Sequence, residues 1–214
     1  MQIESSWSMK INQFSTLKID IKLVKNFKSF TKLIAKSVLP LLWRGWGRSK
    51  NTIMEINIIA AVAANRAIGY QNDMVYFIRE DLKRFKQLTT GHTVIMGRKT
   101  FHSLPKGALP NRRNIVLSRT ETDFPGCDVY SSLEEALKHI GAEEKAFIIG
   151  GASLYKEALA IADHLYLTEI AATPPQADVF FPEYNDGTWI VESREERPAT
   201  DDNPAYVYVN YVRK

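Results

Sequence analysis

The sequence predicts an α/β fold, a sheet of alternating strands and helices that ends in antiparallel strands. Three observations predict it. Short apolar runs of strand length recur, and most lead through a turn into a helical pattern. These runs are apolar at consecutive positions, as in parallel strands buried on both faces. Residues 206–212 instead alternate with period two, which suits an antiparallel strand at the end of the chain.

The pattern starts at Met54. Residues 1–53 hold ten Lys and Arg against two acids, Glu4 and Asp20, and their apolar residues keep no sustained period. The rest of the chain holds 18 bases and 22 acids. The formal charge of +4 therefore joins a basic leader to a mildly acidic body, and its hint of nucleic acid or anionic membrane falls on the leader alone. A secretory signal is disfavoured there, because the apolar stretch 37–43 is short, contains Pro40 and runs into Arg44. An organelle-targeting peptide and a phosphate-neutralising arm stay open. The favoured expectation is a disordered or mis-started leader, residues 1–53, ahead of one domain over residues 54–214. No run approaches the roughly 18 apolar residues of a membrane helix. Cys127 is the single cysteine, which excludes a disulfide framework and a multi-cysteine metal site.

Residues 56–63 form the first buried strand. A loop follows, past Ile68 and Gly69 to Met74-Val75-Tyr76-Phe77, and residues 79–89 read as a helix stopped by Gly91. Residues 93–96 are a strand, and Gly97-Arg98-Lys99-Thr100 opens a helix to Leu104. Residues 114–117 are a strand ending at Ser118-Arg119. Ser132 caps a helix to about His139, with Glu134 and Glu135 in its first turn. Residues 146–149 are a strand, and Gly150-Gly151-Ala152-Ser153 opens a helix carrying Leu154, Tyr155, Ala158 and Leu159. Strands over 165–170, 189–197 and 206–213 complete the chain, with a turn at Pro174-Pro175.

Asp81 is the most informative side chain. At 100° per residue it lies within about 60° of Ile78, Phe85 and Leu88, while Glu80, Lys83, Arg84 and Gln87 take the wet face. A carboxylate in an apolar stripe is costly unless something pairs with it. It either supports the helix N-terminus or faces a ligand from an apolar pocket. Gly97 and Gly150-Gly151 each sit where a strand turns into a helix, so backbone N–H groups are free to bind an anion, and Arg98 and Lys99 add charge. Two such cradles on adjacent strands suit a ligand with several phosphates, such as a dinucleotide; two ordinary turns are the plain alternative. The G-x-G-x-x-G fingerprint is absent.

Together these residues resemble the dihydrofolate reductase family over about residues 56–213. The motifs, in one order, are Ala60-Ala61, Ile68-Gly69, Glu80-Asp81-Leu82-Lys83-Arg84-Phe85-Lys86, Val94-Ile95-Met96-Gly97-Arg98-Lys99-Thr100, Leu109-Pro110 with Arg112, Ile149-Gly150-Gly151, Tyr155, and Leu165-Tyr166-Leu167-Thr168. The resemblance implies a three-layer fold with a mostly parallel central sheet of about eight strands and flanking helices. It implies NADPH-dependent reduction of 7,8-dihydrofolate to 5,6,7,8-tetrahydrofolate, by a cytoplasmic monomer that supplies one-carbon metabolism, with no membrane or nucleic-acid partner.

By the same resemblance, Asp81 corresponds to the carboxylate that binds the pterin amino group and N3, with Thr168 as its support. Ile59, Leu82, Phe85, Leu104 and Leu109 correspond to apolar walls. Ala61, Lys86, Ile149 and Tyr155 correspond to further substrate contacts, and Arg112 to the arginine that forks onto the tail carboxylate. Arg98, Lys99, Thr100, Ser118 and Arg119 correspond to the region that holds the cofactor phosphates. Ala61, Ile68, Gly69, Gly97 and Leu117 line the same cofactor, as do Gly150, Gly151, Ala152, Ser153 and Leu154, with the Gly150-Gly151 bond cis. Val75 and Arg79 stand where the family has prolines, so a looser loop–helix junction is expected. Tyr76 stands where it has a tryptophan that helps hold a water, and its hydroxyl can donate from a different position.

Two alternatives are a pyrimidine reductase of flavin synthesis on a related fold, and a non-catalytic NADPH-binding module whose basic arm docks nucleic acid. Asp81, Arg112 and the surroundings of Tyr155 favour folate over the first, and Asp81 with Arg112 argue against the second, because a cofactor-only binder needs neither. His92, His102, His139 and His164 have no metal spacing, and no metal is expected.

Overall fold

The computed structural model describes residues 54–214, and the expectations for residues 1–53 lie outside the described residues. In chain order the elements are β1 (Glu55–Ala63), β2 (Ala67–Tyr70), β3 (Asp73–Met74), α1 (Arg79–Thr89), β4 (Thr93–Gly97), α2 (Arg98–Ser103), β5 (Arg113–Leu117) and β6 (Cys127–Tyr130). Then come α3 (Leu133–Lys138), β7 (Lys145–Gly150), α4 (Ala152–Ala158), β8 (His164–Ile170), β9 (Val179–Phe180), β10 (Trp189–Arg197) and β11 (Tyr206–Arg213).

Eight strands form the central sheet in the order β10-β11-β8-β1-β7-β4-β5-β6. From β8 to β6 every pairing is parallel; β11 on β8 and β10 on β11 are antiparallel. The apolar runs explain the parallel centre. Ile56, Ile58, Ile95, Ile115, Ile148, Leu165 and Leu167 are all fully buried, which requires cover on both faces of the sheet. Ser132 does cap α3, its side chain accepting from the backbone N–H of Glu135. No helix among the described residues is long and apolar enough to cross a membrane.

Residues 67–74, where no strand is expected and a loop is expected after Gly69, contribute β2 and β3 to a separate three-stranded sheet with β9. Strands of two to four residues are too short to show a period; left-handed Arg66 leads into β2, and left-handed Gln71 and Asn72 turn the chain between β2 and β3. β6 was not expected either; Cys-Asp-Val-Tyr carries no apolar run, and its place comes from its parallel register with β5.

One face of the sheet prepares a site. Asn57, Ile59 and Ala61 of β1 stand in register with His164, Tyr166 and Thr168 of β8, which stand in register with Val212, Asn210 and Tyr208 of β11. Period two puts all nine on the same face. Phe85 and Leu88 of α1 pack onto it in a cluster with Ile59, Phe147, Ile149 and Tyr166.

Candidate active site

Asp81 precedes Phe85 by one turn on the apolar stripe of α1. The hydroxyl of Thr168 donates a hydrogen bond to its carboxylate. The partner is on a strand and not among the helix's own N–H groups, so the carboxylate faces the sheet. Burial raises the Asp81 pKa above the ordinary carboxylate range, while the Thr168 hydrogen bond and the Arg84 charge pull it back.

Arg84 does not take the wet face expected of it. Its Nη2 donates to Asn210 Oδ1 at 2.7 Å, and its guanidinium carbon lies 4.5 Å from the centroid of the Tyr208 ring. A helical wheel sees only its own helix; here β11 offers an amide and an aromatic face to what would otherwise be the solvent side.

Ile59, Phe85, Leu104, Leu109 and Ile149 meet in one apolar cluster. Tyr155 is buried, and its hydroxyl donates to the Ile59 carbonyl at 2.9 Å, so it fixes the backbone of β1. Ala61 and Tyr76 belong to a second cluster with Ile78, Ile170, Tyr206 and Tyr208. Leu82 is half-buried and Lys86 exposed. Arg112 donates from Nε to the Pro110 carbonyl at 3.0 Å and from Nη1 to Thr89 Oγ1 at 3.0 Å, with its guanidinium carbon 5.9 Å from the Phe85 centroid. Thr89 is fully buried and was missed as a site residue. It follows Asp81 and Phe85 at spacings of four on the same stripe, a signal its polar type disguised.

At the carboxyl ends of β4 and β7 the two glycine junctions lie side by side, with Met96 in register with Gly150. The Gly150–Gly151 peptide bond is cis. Gly150 has φ +137, and a Cβ there would stand 3.0 Å from Thr100 Oγ1; a Cβ on Gly97 would stand 3.7 Å from the Gly151 nitrogen. The helices α2 and α4 start after Gly97 and Gly151 with no side-chain cap bond, leaving first-turn N–H groups for an anion. Ala152 is half-buried, Ser153 exposed and Leu154 buried in α4.

Arg98, Lys99 and Arg119 are exposed, and Leu117 ends β5. Arg98 donates to Thr120 Oγ1 at 2.8 Å and lies 3.9 Å from Glu121, whose backbone N–H in turn donates to Ser118 Oγ at 3.0 Å. Thr120 and Glu121, which hold Arg98, were also missed. Ile68 and Gly69 sit in the small sheet, where Gly69 pairs with Met74 and Val179. A glycine edge, two open helix starts and nearby cations fit a nucleotide cofactor with several phosphates.

Residues 55–213 match the family model described as dihydrofolate reductase. The chain is 42% identical over 161 residues to a dihydrofolate reductase of Bacillus subtilis, covering 74% of this chain and 95% of that protein. It is 43% identical over 164 residues to one of Neisseria gonorrhoeae, covering 76% of this chain and all of that protein. Among solved structures, the dihydrofolate reductase from Enterococcus faecalis complexed with NADP(H) and RAB-propyl superposes with a TM-score of 0.70 at 31% identity, covering 75% of this chain and 96% of that one. With the central sheet in place and the matching residues spanning almost all of the described region, the chain belongs to the dihydrofolate reductase family.

Proposed function

We propose that the chain reduces 7,8-dihydrofolate to 5,6,7,8-tetrahydrofolate with NADPH, and that Asp81 is the carboxylate that holds the pterin. The observation that carries this reading is the Asp81–Thr168 pair, one carboxylate set among apolar walls and held from the sheet by a hydroxyl. Asp81 accepts hydrogen bonds from the pterin amino group and N3, which orients the ring and stabilises the positive character that develops on it. Thr168 fixes the rotation of the carboxylate. Ile59, Phe85, Leu104 and Leu109 exclude water from the ring. Arg112, positioned by Thr89 and Pro110, takes the tail carboxylate.

NADPH, when bound, supplies the hydride. Gly97, Gly150 and Gly151 receive it along their backbone edge, and Arg98, Lys99, Thr100, Ser118 and Arg119 hold its phosphates. The ring nitrogen that is reduced takes its proton from water, since Asp81 serves the other edge of the pterin. Residues 54–214 are one domain in this reading, acting as a cytoplasmic monomer. The acidic balance of those residues supports the absence of a nucleic-acid partner. The test is NADPH consumption by the chain with and without dihydrofolate. Consumption that depends on dihydrofolate is expected; a rate indifferent to it overturns the assignment.

A further inference from the structure

We propose that Arg84 is a positioning residue for this reaction, a cation clamped by Asn210 and Tyr208 one helical turn from Asp81, which favours the charged carboxylate there. The inference rests on the assignment of Asp81 above.

Arg84 follows Asp81 by three positions on α1, a spacing that brings Cβ atoms to about 5–6 Å. The clamp is built from β11. Nη2 donates to Asn210 Oδ1 at 2.7 Å, and the guanidinium lies over Tyr208 at 4.5 Å. Tyr208 stands in register with Thr168, the hydrogen-bond partner of Asp81. The support of the carboxylate and the clamp of the cation are thus neighbours on adjacent strands.

Among the described residues no carboxylate lies within ion-pair distance of Arg84. Its acceptor, Asn210, is a neutral amide, and Nη1 is buried without a hydrogen-bond partner. Guanidinium does not lose its proton inside proteins. The carboxylates whose field reaches it are Asp81 and Glu195.

The other groups around Asp81 do not supply a competing cation at the same place. β8 presents Thr168, β11 presents Tyr208 and α4 presents Tyr155, while Tyr166 acts on Arg84. Burial pushes the phenols of Tyr155, Tyr166 and Tyr208 up, so they stay neutral. On β10, Arg197 lies over Tyr208 at 5.6 Å and is paired with Glu195. On α1, Glu80 and Lys83 pair with each other in solvent, and Arg79 is exposed. Arg84 is therefore the cation that acts on Asp81, adding to the Thr168 hydrogen bond in favouring the ionised form against the burial that opposes it.

The experiment follows the Asp81 carboxyl carbon by NMR, and kcat/KM, as functions of pH in the full chain. The variants are Arg84→Met, Arg84→Lys and Asn210→Leu. Removing the cation should shift the Asp81 midpoint, and the kcat/KM limb it governs, to higher pH. Arg84→Lys should recover most of that shift, and Asn210→Leu should show part of it, with NADPH affinity unchanged in all three. An unmoved midpoint in folded Arg84→Met overturns the proposal. So does a shift that Arg84→Lys fails to reverse, because packing would then be its cause. If Arg84→Met does not fold, Asn210→Leu decides, and an unmoved midpoint there overturns the proposal. Asp81→Asn separates the two levels. A pH limb that survives in it removes the assignment of Asp81, while the NMR midpoints still report whether Arg84 acts on that carboxylate.

Discussion

The hydroxyl of Thr168 in β8 reaches the carboxylate of Asp81 in α1 and donates a hydrogen bond to it across 87 positions of sequence. The bond joins the start of the helix to the middle strands of the sheet. It also holds an acid where burial disfavours its charge.

Replacing Asp81 by Asn keeps the shape and removes the charge. Hydride transfer is expected to fall by about 10²–10³-fold, the range for losing one preorganised group that stabilises charge developing in the transition state. NADPH affinity should hardly change, because the glycine junctions are untouched. Single-turnover NADPH loss and a fluorescence titration of NADPH measure the two. Turnover equal to that of the parent chain would remove Asp81 from the reaction.

The raised pKa of Asp81 also predicts a pH-dependent stability. Between its ordinary and its raised value, the folded chain holds more of the proton than the unfolded chain does. The contribution of Asp81 is then fully favourable at low pH and declines as pH rises through the folded-state pKa. In the ligand-free protein, Asp81→Asn should therefore melt at a higher temperature than the parent at neutral pH. The gain should shrink as pH falls through the raised value, where the parent carboxyl takes up its own proton. Melting curves across that range test it, and equal melting temperatures at neutral pH count against a costly buried charge.

Much of this was legible in the chain. Residues 79–89 carry a full amphipathic stripe with Gly91 after it, and α1 spans Arg79–Thr89. β10 and β11 likewise match the expected runs, at Trp189–Arg197 and Tyr206–Arg213. What escaped depends on distant partners. Arg84 looks solvent-facing on a wheel, and its partner Asn210 lies 126 positions away. Thr89 reads as a helix end until Arg112 is seen to donate to it. β2, β3 and β9 are too short for any period to speak, and pairing alone defines them.

Gly150 is predicted to be irreplaceable for a steric reason. Its φ of +137 is reached by few side-chain-bearing residues, and a Cβ would stand 3.0 Å from Thr100 Oγ1. Gly150→Ala should cost about 1–3 kcal/mol in urea unfolding and weaken NADPH binding as Thr100 is pushed aside. Gly91→Ala is the matched control. It also has positive φ, at +82, but has open space around it, so it should lose stability and keep NADPH affinity. Equal NADPH affinity in both variants would detach the junction from the cofactor.

Arg112 offers a test of substrate recognition apart from the chemistry. Two of its donors are committed to the protein, Nε to the Pro110 carbonyl and Nη1 to Thr89 Oγ1, so the guanidinium is oriented before substrate arrives. Lysine keeps the charge and loses both the fork and these anchors. Arg112→Lys should raise KM for dihydrofolate by about 10–100-fold, the worth of one or two charge-assisted bonds, and leave kcat nearly unchanged. Thr89→Val leaves the arginine in place and removes one anchor, so it should raise KM in the same direction by a smaller factor. A fall in kcat at constant KM in Arg112→Lys would move this arginine from binding the tail to serving the transition state.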